Sequence, residues 1–163
     1  MAKIKKTNAM RELDKLNIAY DITTYAWDPE HLDASHASES IGMNASTVYK
    51  TLVLKGDKTG LLVACIPAKE KIDLKKLARI SQNKRVDMLD IKELLPATGY
   101  IRGGCSPLAM KKHYPTYLHE QGLELSELAI SAGKRGMQII LAGTDLKDAT
   151  NATFANLIEQ ESK

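Results

Sequence analysis

One lysine lies within the most apolar strand-like segment of the chain, residues 48–54 (VYKTLVL), where a charged side chain is out of place. Alternate residues of a β-strand share a face, so Lys50 points the same way as Val48 and Leu52. An ammonium on such a face either extends its stem until the charge reaches water or is held for an anionic partner. The residues alone leave both interpretations open, and the second makes Lys50 a candidate binding group.

A glycine-rich segment, residues 98–107 (TGYIRGGCSP), is the second feature that could do chemistry. Gly103 and Gly104 would let the backbone approach a ligand closely and present successive N–H groups, and Pro107 would stiffen the exit. A loop of this kind suits a carbonyl or phosphate oxygen. The pattern is weak by itself, because a tight turn that needs positive φ has the same composition.

A third segment, residues 131–136 (SAGKRG), combines hydrogen-bond donors with positive charge. Ser131 offers a hydroxyl, Gly133 offers exposed backbone N–H groups, and Lys134 and Arg135 are cations. The segment lacks the Gly-x-x-x-x-Gly-Lys-Ser/Thr spacing of a phosphate-binding P-loop. In isolation, a basic hairpin turn that faces solvent is the simpler interpretation.

Cys105 is a candidate nucleophile because the surrounding N–H groups could lower its pKa. No sequence argument brings a base to it, although His113 and His119 follow downstream, and a buried or incidental thiol is favoured. The four histidines show no His-x-x-x-His spacing, and neither cysteine completes a Cys-x-x-Cys motif. We therefore expect no metal and no cofactor.

Basic residues cluster on and after a predicted helix in the middle of the chain. They are Lys71, Lys75, Lys76, Arg79, Lys84 and Arg85. They form either a solvated face or a local candidate for contact with a phosphate backbone. The net charge of the chain is only +3, which permits transient contact with a polyanion but does not imply a general nucleic-acid binder.

Several short elements must position these segments. A helix that Thr7 caps and Asn17 ends would carry Met10, Leu13 and Leu16 on its inner face. A strand at 18–25, a turn at 27–30 and a short helix at 35–41 closed by Gly42 follow, and then a hairpin of strands 48–54 and 61–66. After the hairpin we predict a helix at 74–80 capped by Asp73, a strand at 86–89, and a helix at 91–95 that Asp90 caps and Pro96 ends. The remaining strands are predicted at 114–118, 128–131 and 137–141. A last helix, capped by Thr144, would bury Leu146, Phe154, Leu157 and Ile158.

Short strands joined by hairpins and separated by short helices predict an α+β fold with a mixed, mostly antiparallel sheet and helices packed on it. The absence of strict β-α-β alternation argues against a Rossmann fold. With 163 residues, 44% of them hydrophobic, the chain is expected to form a single domain over residues 1–163. No segment is apolar for long enough to span a bilayer, no signal-peptide core follows the basic N-terminus, and two cysteines are too few for a disulfide framework. We expect a cytoplasmic protein with no membrane partner.

Taken in order, six segments resemble the YbaK/EbsC family, whose members are free-standing homologues of the editing insertion domain of bacterial prolyl-tRNA synthetase. The segments are 24–25 (TY), 48–52 (VYKTL), 73–76 (DLKK), 98–100 (TGY), 103–107 (GGCSP) and 131–136 (SAGKRG). Each is weak singly, but their order and spacing match from about residue 7 to residue 158. The resemblance implies a strongly curved, barrel-like form of the mixed sheet with flanking helices. It also implies a hydrolase that removes cysteine from wrongly charged proline tRNA, a Cys-tRNA(Pro) deacylase.

The resemblance assigns roles to individual residues. Lys50 becomes the key basic residue of the editing pocket, and Gly104 a second catalytic position in the loop that lines the aminoacyl group. The remaining substrate-binding positions are Tyr25, Thr51, Gly103, Ser106, Pro107, Ser131 and Gly133. Two positions depart from the family pattern: Cys105 stands where an aliphatic residue is usual, which argues against a protein thiol as nucleophile, and Gln138 stands where close relatives have an acidic residue.

An aminoacyl ester is already activated, so modest catalysis suffices. Lys50 could bind the terminal phosphate or ribose, or polarise the ester carbonyl, while N–H groups of residues 103–106 hold the carbonyl oxygen. Either water attacks, or the substrate's own thiol attacks and the protein needs only to position it. A non-catalytic module that binds aminoacyl-tRNA or a nucleotide, and a hydrolase that depends on Cys105, stay open as alternatives. The expected partner is the acceptor end of proline tRNA, and its selection would require help from prolyl-tRNA synthetase.

Overall fold

The computed structural model describes residues 5–25, 43–44 and 46–159. The turn predicted at 27–30 and the helix predicted at 35–41 lie outside these ranges. The described elements are, in chain order, α1 (Asn8–Lys15), β1 (Asp21–Thr24), β2 (Tyr49–Gly56), β3 (Gly60–Pro67), α2 (Leu74–Ile80), β4 (Val86–Met88), α3 (Ile91–Thr98), β5 (Thr116–His119), a 3-10 helix (Glu120–Glu124), β6 (Leu128–Ser131), β7 (Met137–Leu141), α4 (Gly143–Thr150) and β8 (Thr153–Ala155). Within the described ranges, no helix has the length and apolar character needed to cross a membrane.

Three helices begin where their capping side chains predict. The side-chain oxygens of Thr7, Asp73 and Asp90 accept backbone N–H groups of the first turns of α1, α2 and α3, at 3.3, 3.0 and 3.2 Å. Each bond satisfies one of the donors that a helix start leaves unpaired. Helix α1 buries Met10 and Leu13 as predicted, but Leu16 is 47% exposed because it lies at the cap, beyond the last full turn.

Two predicted helix boundaries are wrong. Helix α3 continues through Pro96 to Thr98 and ends at Gly99, whose φ of +85° stops it. Proline removes only one hydrogen bond of this short helix, and the amide of Gly99 still reaches the carbonyl of Leu95 at 2.9 Å. The C-terminal helix begins after Ala142 rather than at Thr144, and it ends at Asn151, which has a φ of 54°.

The chain after Asn151 forms a strand rather than the rest of the predicted helix. Phe154 lies in β8, which pairs in parallel with β5. The apolar residues there are spaced as in one helix, although they belong to a short helix and to the short strand that follows it. Leu146 and Leu157 are buried as predicted.

The strands form two sheets, with orders β1-β7-β6 and β4-β2-β3-β5-β8. The first sheet is antiparallel, and the second is mixed because β5 runs parallel to both of its neighbours. The predicted α+β class with a mixed, mostly antiparallel arrangement is therefore confirmed. Among the described strands neither sheet closes on itself, so the strongly curved, barrel-like form stays a prediction.

Strand β2 separates two apolar clusters. On the face that Lys50 shares with Leu52 and Leu54, helix α2 packs Leu77 and Ala78 onto the β2–β3 hairpin. On the opposite face Tyr49 joins a cluster that also contains residues of α1, β6 and β7. Burial on both faces fixes the register of β2, because a slip of one residue would exchange every side chain between the faces.

Within the described part of the chain, one bridge joins the two sheets. Val48, immediately before β2, pairs in parallel with Ala129 of β6, and the amide of Ala129 donates to the carbonyl of Thr47 at 2.9 Å. Beyond this bridge β6 does not continue along β2. The next neighbour on that side is β4, whose contact begins with the amide of Leu89 donating to the carbonyl of Val53 at 3.1 Å.

Candidate functional site

The edge of β2 at residues 51–52 has no strand partner among the described residues, and we name this opening the strand gap. It lies between the Val48–Ala129 bridge and the bond from Leu89 to Val53, while the other edge of β2 is fully paired with β3. An unpaired strand edge presents backbone N–H and C=O groups that can bind another molecule. Lys50 lies next to this gap and Thr51 lies within it, and the two residues point to opposite faces of the strand.

Four polar residues lie on the same face of the two sheets, three of them paired across β6, β7 and β1 and the fourth in β2 next to the bridge. The parallel bridge places Lys50 and Ser131 two residues beyond Val48 and Ala129 on the same face, and the ladder register continues from Ser131 to Gln138 and Thr23. We name Lys50, Ser131, Gln138 and Thr23 the polar row. Thr23 was not predicted, and its signal was weak because threonine is common in strands.

Gln138 is 5% exposed, and its Oε1 atom is buried and has no hydrogen-bond partner among the residues that the structure describes. Leaving a buried acceptor unpaired costs about 1–3 kcal/mol, so such an atom requires an explanation. The sequence offers the same signal here as at Lys50: a lone polar residue within the apolar run Met137 to Leu141. The unpaired oxygen makes Gln138 a candidate acceptor for a group of a ligand.

The two predicted glycine segments form adjoining loops, which we name loop 1 (residues 99–107) and loop 2 (residues 132–136). A Cβ atom built on Gly104 would lie 3.1 Å from the backbone nitrogen of Arg135, and one built on Gly133 would lie 2.8 Å from Cε1 of Tyr100. The Nε atom of Arg135 also donates to the carbonyl of Arg102 at 2.8 Å. The glycines at 104 and 133 are therefore required by close packing, and Gly133 additionally by its φ of +93°.

Tyr25 belongs to the same end of the molecule. Its amide donates to the carbonyl of Gly136 at 2.9 Å, so it joins β1 to loop 2. The hydroxyl of Ser131 accepts the amide of Gly133 at 3.1 Å and thereby closes the turn of loop 2. The structure thus brings together Tyr25, Ser131, Gly133 and Gly104, all of which the sequence predicted.

A cavity of about 370 Å³ opens on the Thr51 face of the strand gap. Gly103 and Cys105 of loop 1 line it together with Thr51 and with apolar residues of α3 and of the segment that precedes it. No hydrogen bond within the described residues engages the amides of Gly103 and Cys105, whereas the amide of Gly104 already donates to the carbonyl of Ile101 at 3.0 Å. The free donors of loop 1 are therefore on either side of Gly104 and not on Gly104 itself.

Ser106 and Pro107 lie deeper than the other predicted residues. Ser106 is fully buried, and its Oγ atom accepts the amide of Leu108 at 3.2 Å. Pro107 lines a separate depression, next to Glu12 and His113. The Ser106 hydroxyl thereby closes a turn at the exit of loop 1, and the contact of either residue with an aminoacyl group stays a prediction.

The thiol of Cys105 is poorly suited to nucleophilic attack. Burial raises its pKa to about 12, so the thiolate form is rare at neutral pH. His113 is exposed, and the Nδ1 atom of His119 accepts the amide of Leu157 at 3.3 Å on another part of the fold. Neither histidine forms a hydrogen bond with Cys105. Within the described ranges, no three His, Cys, Asp or Glu side chains come together as metal ligands would.

Comparison with known proteins assigns the chain to a family. The family model described as "Aminoacyl-tRNA editing domain" matches residues 28–149. The chain belongs to the aminoacyl-tRNA editing domain family. The match includes the strand gap and both glycine loops, so the predicted relationship to YbaK/EbsC proteins and to the editing domain is confirmed.

Individual relatives agree with this assignment. The chain is 49% identical to a protein of Enterococcus faecalis whose name describes it as a candidate Cys-tRNA(Pro)/Cys-tRNA(Cys) deacylase, EbsC, over 99% of this chain and all of that one. A crystal structure described as a candidate trans-editing enzyme for prolyl-tRNA synthetase matches with a TM-score of 0.79 and 21% identity, over 96% of this chain and all of that one. A protein described only as hypothetical matches with a TM-score of 0.84 and 18% identity, over 94% and 100%. The two structures establish the likeness of the fold.

The close contact between loops 1 and 2 predicts that a side chain added at Gly104 lowers the stability of the protein. In Gly104→Ala the new methyl group would press on the backbone of Lys134 and Arg135, at 3.3 and 3.1 Å, and these atoms are held by their own turn. Overpacking of this kind costs about 1–3 kcal/mol. Urea unfolding should show a lower midpoint with an unchanged slope. A midpoint equal to that of the wild type would contradict the described packing of the two loops.

The raised pKa of Cys105 predicts slow alkylation. At pH 8 the native protein should react with iodoacetamide at Cys105 at least about 100-fold more slowly than free cysteine, because the thiolate fraction is small and the thiol is buried. Peptide mapping by mass spectrometry separates Cys105 from Cys65. Protein unfolded in urea is the control and should react at the rate of free cysteine. Equal rates for native Cys105 and free cysteine would show an activated thiol.

Proposed function

We propose that this protein is a trans-editing deacylase that hydrolyses cysteine wrongly esterified to proline tRNA, and that the chain acts as one editing domain. Family membership and the full-length likeness to EbsC support the reaction class. The observation that carries the proposal is the strand gap, where Thr51 lines one cavity together with Gly103 and Cys105 of loop 1, and where Lys50 is the adjoining residue of β2. This edge can receive an aminoacyl ester, which has both acceptor oxygens and an extended shape.

Lys50 is the electrophilic partner in this proposal. Lys50 is half-buried, lies next to the gap in β2 and belongs to the polar row, and we assign its ammonium as the donor to the ester carbonyl or to the ribose of the terminal nucleotide. A hydrogen bond from a charged donor is about twice as strong as a neutral one. The carbonyl of Gln138 in the same row is placed to accept from the substrate, and the α-ammonium of the aminoacyl group is the matching donor. A neutral amide can accept that bond without adding a charge.

Loop 1 supplies the second set of donors. Gly103 and Cys105 line the cavity and their amides have no hydrogen bond within the described residues, so we assign these amides to stabilise negative charge on the carbonyl oxygen as the tetrahedral intermediate forms. Gly104 acts through packing, because its missing side chain lets loop 1 rest on loop 2. We assign Tyr25, Thr51, Ser131 and Gly133 to the walls of the pocket.

The attacking group is either water or the thiol of the substrate. The buried Cys105 thiol, with its pKa of about 12, does not favour a protein nucleophile. A cysteinyl ester carries its own thiol close to its carbonyl, and a protein that fixes this geometry gains most of the rate from orientation. The same requirement would select cysteine over amino acids that lack a thiol. The tRNA partner in this proposal is the acceptor end of proline tRNA, and prolyl-tRNA synthetase contributes to its selection.

The first prediction concerns Lys50. Wild-type protein should hydrolyse Cys-tRNA(Pro), and Lys50→Ala should lower kcat/KM about 100-fold or more, as the loss of a donor to a developing oxyanion does. Release of labelled cysteine from the tRNA measures the rate. Lys58→Ala is the matched control, because Lys58 is an exposed lysine in the turn between β2 and β3. Protection of the ester by the wild type would instead indicate a non-catalytic binding module.

The second prediction concerns the substrate thiol. Proline tRNA charged with cysteine should be hydrolysed, while the same tRNA charged with serine or alanine should keep its amino acid over the same interval. Serine is the closest control because it differs from cysteine only in having oxygen in place of sulfur. Equal cleavage of alanyl and cysteinyl esters would exclude attack by the substrate thiol and leave water as the nucleophile.

A further inference from the structure

A second depression, of about 640 Å³, lies on the far side of helix α3 from the strand gap. The end of the β2–β3 hairpin, α3 and residues 111–114 form its walls. Four lysines line it, and Glu93 is the only carboxylate among its lining residues. We name this depression the lysine groove, and its basic residues are Lys55, Lys92, Lys111 and Lys112.

The charges of the lysine groove are available for a partner. Lys55, Lys111 and Lys112 have no carboxylate within ion-pair distance among the described residues, and Lys92 has only a long contact of 3.8 Å to Asp90. All four lysines are exposed. A concave surface lined by one sign of charge concentrates the electrostatic potential and attracts a polyanion.

The walls of the groove are held in place by hydrogen bonds. The hydroxyl of Tyr114 donates to the carbonyl of Ala97 at 2.7 Å, and the amide of Lys111 donates to the carbonyl of Thr98 at 3.2 Å. The aliphatic stem of Lys111 lies against Gly99, about 3.5 Å from the position of a Cβ there. The lysines are therefore carried by a backbone that is already ordered, which lowers the entropy lost when they bind.

The groove is continuous with the site. Leu89 lines both the groove and the cavity at the strand gap, and α3 forms a shared wall, with Ile91 and Leu94 on the cavity side and Lys92 and Pro96 on the groove side. Loop 1 begins where α3 ends, so one helix connects the lysines to the donors of loop 1. A ligand that enters the strand gap with its reactive end can extend over α3 into the groove.

The basic stretch of helix α2 is a weaker candidate for the same partner. Helix α2 packs on the Lys50 face of the hairpin, whereas Lys55 lies on the opposite, Thr51 face. The Nζ atom of Lys76 is also engaged by the carbonyl of Ile158 at 2.7 Å, and Arg85 is paired with Asp87.

We infer that the lysine groove binds the sugar–phosphate backbone of the RNA whose aminoacylated end occupies the strand gap. The inference rests on the proposed function for the identity of that RNA, but the contact itself requires only phosphates. A sequence-independent contact of this kind would give affinity and register, while the pocket reads the amino acid. It accounts for RNA binding by a chain of small net charge, because the cations are collected in one place.

The test compares two triple variants with equal loss of charge. The groove variant is K55Q/K111Q/K112Q, and the control is K71Q/K75Q/K84Q on and after α2. Fluorescence anisotropy measures the binding of uncharged proline tRNA over a series of salt concentrations. The groove variant should bind about 10-fold more weakly at low salt, and its slope of log K against log salt should fall by about 2 to 3. The control should stay within about 2-fold of the wild type.

Three outcomes would overturn the inference: wild-type affinity in the groove variant, equal weakening in both variants, or loss of binding to polyglutamate with tRNA binding intact. The last outcome would identify the groove as a site for an acidic protein segment. Because uncharged tRNA is the probe, the result is independent of deacylation. Groove-dependent binding without hydrolysis would refute the proposed function alone, and hydrolysis without groove dependence would refute this inference alone.

Discussion

The divergence of β2 from β6 after a single bridge is the constraint on which the rest of the site depends. The Val48–Ala129 pair joins the two sheets, and beyond it residues 51–52 pair with no described strand on one edge. Had β6 continued along β2, the backbone groups there would be paired and the space for loop 1 would be filled. The apolar clusters on both faces of β2 hold the strand in one register, and this register sets the face of the strand on which each side chain at the gap lies.

The glycines of the two loops serve this same opening. Gly104 and Gly133 allow loop 1 to rest on loop 2, and loop 2 is tied to β1 through Tyr25. The consequence is that the part of loop 1 that lines the cavity is held by packing against loop 2, and a fixed backbone is what preorganised electrostatic stabilisation requires. Gly103 and Gly104 have different roles. The amide of Gly104 is hydrogen-bonded within its own turn, so Gly104 contributes by having no side chain and leaving space for loop 2.

The sequence predicts local structure well wherever a single side chain decides it. The caps at Thr7, Asp73 and Asp90 and the β2–β3 hairpin follow from local rules. The sequence wrongly predicts that α3 ends at Pro96, because a short helix tolerates one missing hydrogen bond. It also wrongly predicts the extent of the last helix, because helical spacing of apolar residues does not exclude a strand.

The position of Lys50 on an apolar face is visible in the sequence, but its relation to Ser131 and Gln138 depends on strands that are far apart in the chain. The lysine groove could not be foreseen, since Lys55, Lys92 and Lys111 come together only through tertiary packing.

The central claim is that an aminoacyl ester binds at the strand gap. NMR tests it most directly, with a non-hydrolysable analogue of 3′-cysteinyl adenosine in which an amide replaces the ester. Titration into ¹⁵N-labelled protein should shift the backbone amides of Thr51, Gly103 and Cys105 most strongly, because they line the opening that the analogue enters. The amide of Gly104 should shift less, since it stays bonded to Ile101. Shifts confined to the α2 face, around Lys75, with residues 50–52 and 103–105 unchanged, would contradict the account.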